Sequence, residues 1–109
     1  MENVHRIGFT LRVRKERIEE YVRRHQEVWP EMLSALTAAG WHNYSLFLRE
    51  DGLLFGYVEV VDFDAALAAM AKTEVNARWQ KEMAPFFESE PGLLPDEHMK
   101  PLSHIFYLP

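Results

Sequence analysis

Nine consecutive residues, Leu53-Leu54-Phe55-Gly56-Tyr57-Val58-Glu59-Val60-Val61, are apolar at nearly every position, whichever way alternate side chains point. A strand with one face in water would alternate apolar and polar residues, so this stretch predicts a central strand covered on both faces. The rest of the chain must then supply flanking strands, helices for one face and a separate cover for the other.

The flanking strands are legible by their period of two. Over 4–13, Ile7, Phe9, Leu11 and Val13 share one face, while Arg6, Gly8, Thr10 and Arg12 take the other. Over 41–48, Tyr44, Leu46 and Leu48 oppose Asn43, Ser45 and Phe47, and Arg49-Glu50-Asp51-Gly52 reads as the hairpin turn into the central strand. The period changes to three and four over 16–39, where Ile18, Tyr21, Val22, Val28, Trp29, Met32, Leu33, Leu36 and Ala39 line one side of a single predicted helix. Gly40 is placed to end it. A second helical region is expected over 63–73, capped by Asp62 or Asp64, and continues over 74–87 with Pro85 late in it. Residues 88–101, rich in proline and acid, read as a loop, and 102–108 as a last strand.

The order β-α-β-β-α-β is that of an α+β, ferredoxin-like split β-α-β fold: one domain over 1–109, an antiparallel sheet with helices on one face. One layer of helices leaves the other apolar sheet face bare, and such faces usually meet a partner. We therefore expect a homodimer built sheet to sheet, a dimeric α/β barrel.

Charge and composition exclude several classes. A net charge of −5 lacks the basic footprint of a nucleic-acid binder, although seven of the twelve Lys and Arg fall in residues 1–24. Arg12, Arg14, Lys15 and Arg17 among them read mainly as a solvated strand-to-helix turn. No apolar run reaches the roughly 18 residues of a membrane span, the opening Met-Glu-Asn-Val-His-Arg has no signal-like segment, and there is no cysteine. The expectation is a cytoplasmic chain without disulfides or membrane contact. His5, His42, His98 and His104 show no metal-ligand spacing, no serine lies in a nucleophile elbow, and no glycine-rich phosphate loop is present, so no metal or cofactor is expected.

Two residues break the helical pattern of 16–39. His25, four residues after Tyr21 and four before Trp29, lies on the stripe that faces the core. It reads either as a core histidine bonded to a backbone carbonyl or as a general acid/base, since its side chain titrates near neutrality. Pro30 leaves the carbonyl of Gln26 without its helical partner; it reads as a tolerated bend or as a kink that opens space for a ligand. Tyr21, Tyr44 and Trp79 combine an apolar ring with a polar handle, suited to a core or to stacking on a sugar. Tyr44 is the strongest of the three because the polar pair His42-Asn43 interrupts the strand before it, and His42 could support a site from behind.

Together, Tyr21-x-x-x-His25, Trp29-Pro30-Glu31, Gly40-x-His42-Asn43-Tyr44, Arg78-Trp79 and the terminal Phe106-Tyr107-Leu108-Pro109 closely resemble the L-rhamnose mutarotase family, in order and over nearly the whole chain. The resemblance implies a small homodimer with a ferredoxin-like α/β barrel that interconverts the α and β anomers of L-rhamnose, or of a related deoxysugar, without a cofactor. It also implies that His25 is the catalytic proton donor and that Tyr21 and Tyr44 contact the sugar. The family's Trp-Trp pair falls here on Trp79 and Gln80, so one stacking ring is replaced by an amide able to hydrogen-bond a hydroxyl. A cofactor-free monooxygenase or a non-catalytic binding module on the same dimeric fold are the rival readings.

Overall fold

The computed structural model describes residues 3–88, Pro95 and 99–109. Three strands, β1 (His5–Arg12), β2 (His42–Leu48) and β3 (Leu53–Val60), form an antiparallel sheet in the order β1-β3-β2. The doubly apolar stretch is thus the central strand, as its composition requires. Four helices, α1 (Ile18–Gln26), α2 (Pro30–Ala38), α3 (Phe63–Ala71) and α4 (Glu74–Met83), accompany the sheet, with short 3-10 turns at Lys15–Arg17 and Ala84–Phe86. Among the described residues, no helix is long and apolar enough to cross a membrane.

Sheet register explains why one core-facing position of β3 has no side chain. Phe9, fully shielded from solvent, lies directly across from the buried Gly56. The tip of the Phe9 ring occupies the volume a β-carbon on Gly56 would need. Leu11 faces Leu54 in the same register, and Leu54, Val58 and Val60 enter the core with Phe63, Ala66 and Met70 from α3.

Local chemistry sets the element ends. The β2–β3 turn closes through Gly52 N–H to Arg49 O at 2.9 Å, with Gly52 at φ +100°. A β-carbon there would also strike the carbonyl of Val13, so glycine is required twice over. Gly40, at φ +90°, ends α2 in a Schellman motif: Trp41 N–H bonds Leu36 O at 3.0 Å and Gly40 N–H bonds Thr37 O at 3.1 Å. Asp62, rather than Asp64, caps α3 by accepting from Ala65 N–H at 3.0 Å, and Thr73 caps α4 by accepting from Asn76 N–H at 3.2 Å.

Two expectations are corrected. The helix expected over 16–39 is two helices, because Pro30 is the first residue of α2 and not an interior kink. Proline suits that position, where no N–H is needed, and it forces the preceding Trp29 into an extended conformation at ψ 134°. The last strand expected over 102–108 is not formed. Its segment makes one backbone bond, Leu102 N–H to Gly8 O at 2.7 Å, and is otherwise exposed, since a strand exists only where a partner strand completes its ladder. Within one chain the helices cover one face of the sheet; on the other, Phe47 of β2 is 61% exposed and Phe55 of β3 38%, which is the face for which the sequence predicts a separate cover. Of the loop expected over 88–101, residues 89–94 and 96–98 lie outside the described residues, whereas Pro95 is buried and Met99 packs on the core.

Gly56→Ala should lower stability by about 1–3 kcal/mol, the range for forcing extra volume into a packed core. Denaturant titration would measure it, and an unchanged midpoint would show that the Phe9 ring has room to move.

Candidate active site

A cavity of about 370 Å³ lies between the helical layer and the inner face of the sheet. That is within the range of small-molecule sites. Tyr21, His25, Tyr44, Trp79 and Gln80, drawn from α1, β2 and α4, all line it. The five candidate residues of the sequence therefore surround one space.

His25 is in the last turn of α1, with Tyr21 one turn before it. Its Nδ1 lies 3.0 Å from the carbonyl oxygen of Tyr21, so the ring carries its hydrogen on Nδ1 and donates it there. The core-histidine reading anticipated this bond; the cavity adds that the ring also borders open space. The His25 and Tyr21 rings are 4.3 Å apart at their centroids, and the indole of Trp79 meets His25 edge-on at 5.5 Å. Burial among these rings moves the His25 pKa below its ordinary 6.5, and the backbone bond offsets this only in part. Tyr21 is 4% exposed, and burial, reinforced by the nearby Tyr44, pushes its phenol far above 10. At neutral pH both groups are uncharged.

Two backbone irregularities aim the aromatic walls. The break at Glu27–Trp29 lets the Trp29 ring swing onto Trp79 at 5.1 Å, edge to face, instead of continuing the α1 stripe. Space next to His25 is lined by Val28 within the break and by Met32 and Leu36 after it. In β2, the register slips by one residue between His42 and Ser45, a β-bulge, with Asn43 in the left-handed region at φ 48°. The extra residue lets Trp41 and Tyr44, three apart, share the inner face, with ring centroids 5.0 Å apart. Trp41 is fixed in turn by its indole N–H, which donates to Ala66 O at 3.2 Å.

The outer sheet face anchors the bulge. Asn43 Nδ2 donates to Glu59 Oε1 at 3.0 Å, and the Tyr57 hydroxyl donates to Glu59 Oε2 at 2.9 Å. These bonds, Asn43 first, hold the Glu59 carboxyl below the usual carboxylate range. His42 is exposed and sits opposite Glu59 across the ladder, so the structure places it away from the cavity.

Sequence reasoning missed Asn76, which is buried in the cavity wall one turn before Gln80; Gln80 Nε2 donates to its Oδ1 at 3.1 Å. The signal was available, because Asn76 lies three residues before Trp79 on the same face of α4. Trp41, Pro95 and Met99 were also not foreseen as cavity walls. Among the described residues, no group of three or more His, Asp or Glu comes together in a way that could hold a metal.

Asn43→Gly should stay close to the parent in stability, while Asn43→Val should lose about 1–2 kcal/mol, because a β-branched residue resists the left-handed backbone. Thermal melting would rank the two. Equal melting of both variants would mean that the bulge relaxes without cost.

The chain matches the family model described as L-rhamnose mutarotase over residues 6–108. It is 43% identical over 97 residues to the L-rhamnose mutarotase of Bacillus subtilis, covering 88% of this chain and 90% of that one. With the L-rhamnose mutarotase of Listeria monocytogenes it shares 47% identity over 91 residues, 83% of this chain and 85% of the other. The fold is similar to the crystal structure of an L-rhamnose mutarotase from Formosa agariphila, with a TM-score of 0.77 at 27% identity, covering 96% and 99% of the two chains. This chain belongs to the L-rhamnose mutarotase family.

Proposed function

We propose that this protein is an isomerase that interconverts the α and β anomers of L-rhamnose by acid/base-catalysed ring opening and closure. The observation that carries this reading is His25, with Nδ1 tied to the Tyr21 carbonyl, set in the wall of a 370 Å³ aromatic cavity in a chain of this family. The cavity lining, among the described residues, contains no lysine, arginine or carboxylate. That suits a neutral sugar and leaves a sugar phosphate without a counter-charge. Tyr44 and Trp79 offer ring faces to the C–H surface of the pyranose, and Gln80 takes the place of a second indole.

Ring opening removes a proton from the anomeric hydroxyl, breaks the bond between the anomeric carbon and the ring oxygen, and leaves a proton on that oxygen. Rotation about the C1–C2 bond and closure on the other face complete the exchange. With the hydrogen on Nδ1 held by a carbonyl, neutral His25 has its lone pair on Nε2. We assign Nε2 the anomeric proton first, after which the imidazolium is the donor to the ring oxygen. Tyr21 is no candidate for the base, because burial keeps its phenol protonated; it serves as a hydroxyl contact. Holding the sugar against one shuttling group replaces an encounter with solvent acid and base.

We further propose that the protein works as a homodimer, with the outer sheet face as the interface. Phe47 and Phe55 lie exposed there with centroids 6.4 Å apart, and Phe55 borders a C-terminal segment whose Ile105, Phe106 and Leu108 are largely exposed. A second copy would cover this apolar surface. The same reading places the protein in the cytoplasm, in keeping with a chain that has no cysteine.

Saturation-transfer NMR on L-rhamnose should show anomer exchange well above the spontaneous rate, falling about 10²–10⁴-fold in a folded His25→Ala variant. Full activity in that variant would remove His25 from the mechanism. The pH profile follows from the lowered His25 pKa: kcat/KM should be flat above pH 7 and fall on the acid side, with its inflection below 6.5, as the Nε2 lone pair is protonated. A rate that rises towards acid would instead make the imidazolium the resting form. Light scattering should give twice the chain mass at micromolar concentration, reduced by Phe47→Glu; a parent chain that runs as a monomer would end the dimer assignment.

A further inference from the structure

Glu59 is the one charged residue in the apolar stretch 53–61, and it stands on the central strand, on the sheet face away from the cavity. Both of its carboxylate oxygens are engaged: Oε1 accepts from Asn43 Nδ2 at 3.0 Å, and Oε2 accepts from the Tyr57 hydroxyl at 2.9 Å. We propose that Glu59 is a positioning residue for the sugar site, which holds the β2 bulge and so keeps Tyr44 in the cavity wall. The role of Tyr44 as a sugar contact rests on the mutarotase reading; the placement of its ring does not.

The physical case starts from the register. His42 pairs with Glu59 and Ser45 with Tyr57, so three steps along β2 span two along β3. The bulge therefore lies across from the two residues of β3 that carry the carboxylate and the hydroxyl, while Val58 between them is buried in the core. Asn43, with its left-handed backbone at φ 48°, sits inside the bulge, and its side chain is the one that Glu59 holds. An amide donating to a carboxylate makes a charge-assisted bond, stronger than a bond between neutral groups. Were Asn43 to relax into regular strand, alternation would turn Tyr44 outward while Trp41 stayed inside. Tyr44 would then leave Trp41 and Phe9, whose ring centroids lie 5.0 Å and 6.4 Å from its own.

The surroundings of the carboxylate keep it ionised. Arg6 of β1 and His42 of β2 are its neighbours directly across the ladder on either side. The bonds from Asn43 and Tyr57 lower its pKa most, and these two neighbours add to the effect, so the acceptor is charged at neutral pH. A strand that needed only an apolar outer face would carry valine or leucine here, as it does elsewhere, and Asn43 would have no acceptor across the ladder.

The test is a double-mutant cycle with two readouts. Anomer exchange of L-rhamnose is measured by saturation-transfer NMR for Glu59→Leu, Glu59→Gln and Asn43→Gly, and for Glu59→Leu in a Tyr44→Ala background. On the same proteins without sugar, nuclear Overhauser contacts between the Trp41 and Tyr44 rings are recorded. Glu59→Leu and Asn43→Gly should raise KM about 2- to 10-fold, the worth of one hydrogen bond to the sugar, with kcat little changed and the ring contacts weakened. Glu59→Gln keeps an oxygen that accepts from Asn43 and should stay near the parent. With Tyr44 already removed, Glu59→Leu should raise KM no further. Parental KM or parental ring contacts in both Glu59→Leu and Asn43→Gly would overturn the proposal, as would the same loss with and without Tyr44, which a general loosening of the fold would give. Should Glu59→Leu fail to fold, Asn43→Gly carries the cycle. If the parent chain exchanges no anomers, the mutarotase reading falls, and the ring contacts alone decide whether Glu59 places Tyr44.

Discussion

The hydrogen bond from His25 Nδ1 to the Tyr21 carbonyl is the constraint on which the site depends. It selects the tautomer, fixes the ring against Tyr21 at 4.3 Å, and decides which nitrogen remains for chemistry. Its position at the end of α1 matters as well. The last turn of a helix carries unsatisfied carbonyls that favour an imidazolium, while burial favours neutral imidazole. Burial prevails here, but the cation that the proposed proton transfer forms would sit at the end of the helix where it is best tolerated.

Two departures from regular backbone put the remaining groups around that histidine. Without Pro30 to end the first helix, Trp29 would follow the α1 stripe and would not stand against Trp79. Without the bulge at Asn43, strict alternation would send either Trp41 or Tyr44 to the outer face, and the pair would not form. Both features are local and cost little, because proline is favoured at a first helical position and asparagine is the side chain most at ease in the left-handed region after glycine. The site is thus assembled by breaking regularity at residues whose chemistry makes the break inexpensive.

This also explains what could be read in advance. The strands around Phe9, Leu46 and Val58 and the grouping of Tyr21 with His25 followed from periodicity, because one face of each element is buried and the pattern records it. The division at Pro30 did not, since a three-residue interruption keeps Met32, Leu33 and Leu36 near the phase of an uninterrupted helix. The bulge had a signature in the odd spacing of Trp41 and Tyr44, two large rings three residues apart in a strand. Asn76 was overlooked because a polar residue one turn from a glutamine looks like a solvated face, although Trp79, three residues on, marks that side of α4 as the one lining the cavity. The stretch 102–108 has the apolar and aromatic content of a strand, but pairing is a property of two segments, and among the described residues it makes a single backbone bond to the sheet.

The environments of His25 and Tyr21 move the pKa values of two adjacent groups in opposite directions, which keeps the Tyr21 phenol protonated and leaves His25 able to accept a proton. Both shifts come first from the same cause, exclusion of water, and both favour the uncharged form. Anomer exchange converts a neutral sugar into another neutral sugar with no net uptake of protons, so a cavity uncharged at rest loses nothing to desolvation before the sugar enters. In the proposed mechanism charge arises only during proton transfer, on a ring whose Nδ1 is already bonded to a carbonyl and whose helix end favours the cation. A lysine or glutamate in the same wall would hold water or a counter-ion, and the sugar would have to displace it. The apolar rings do more than hold the pyranose. By drying the cavity they keep the histidine neutral near pH 7, which is the state in which it can accept a proton.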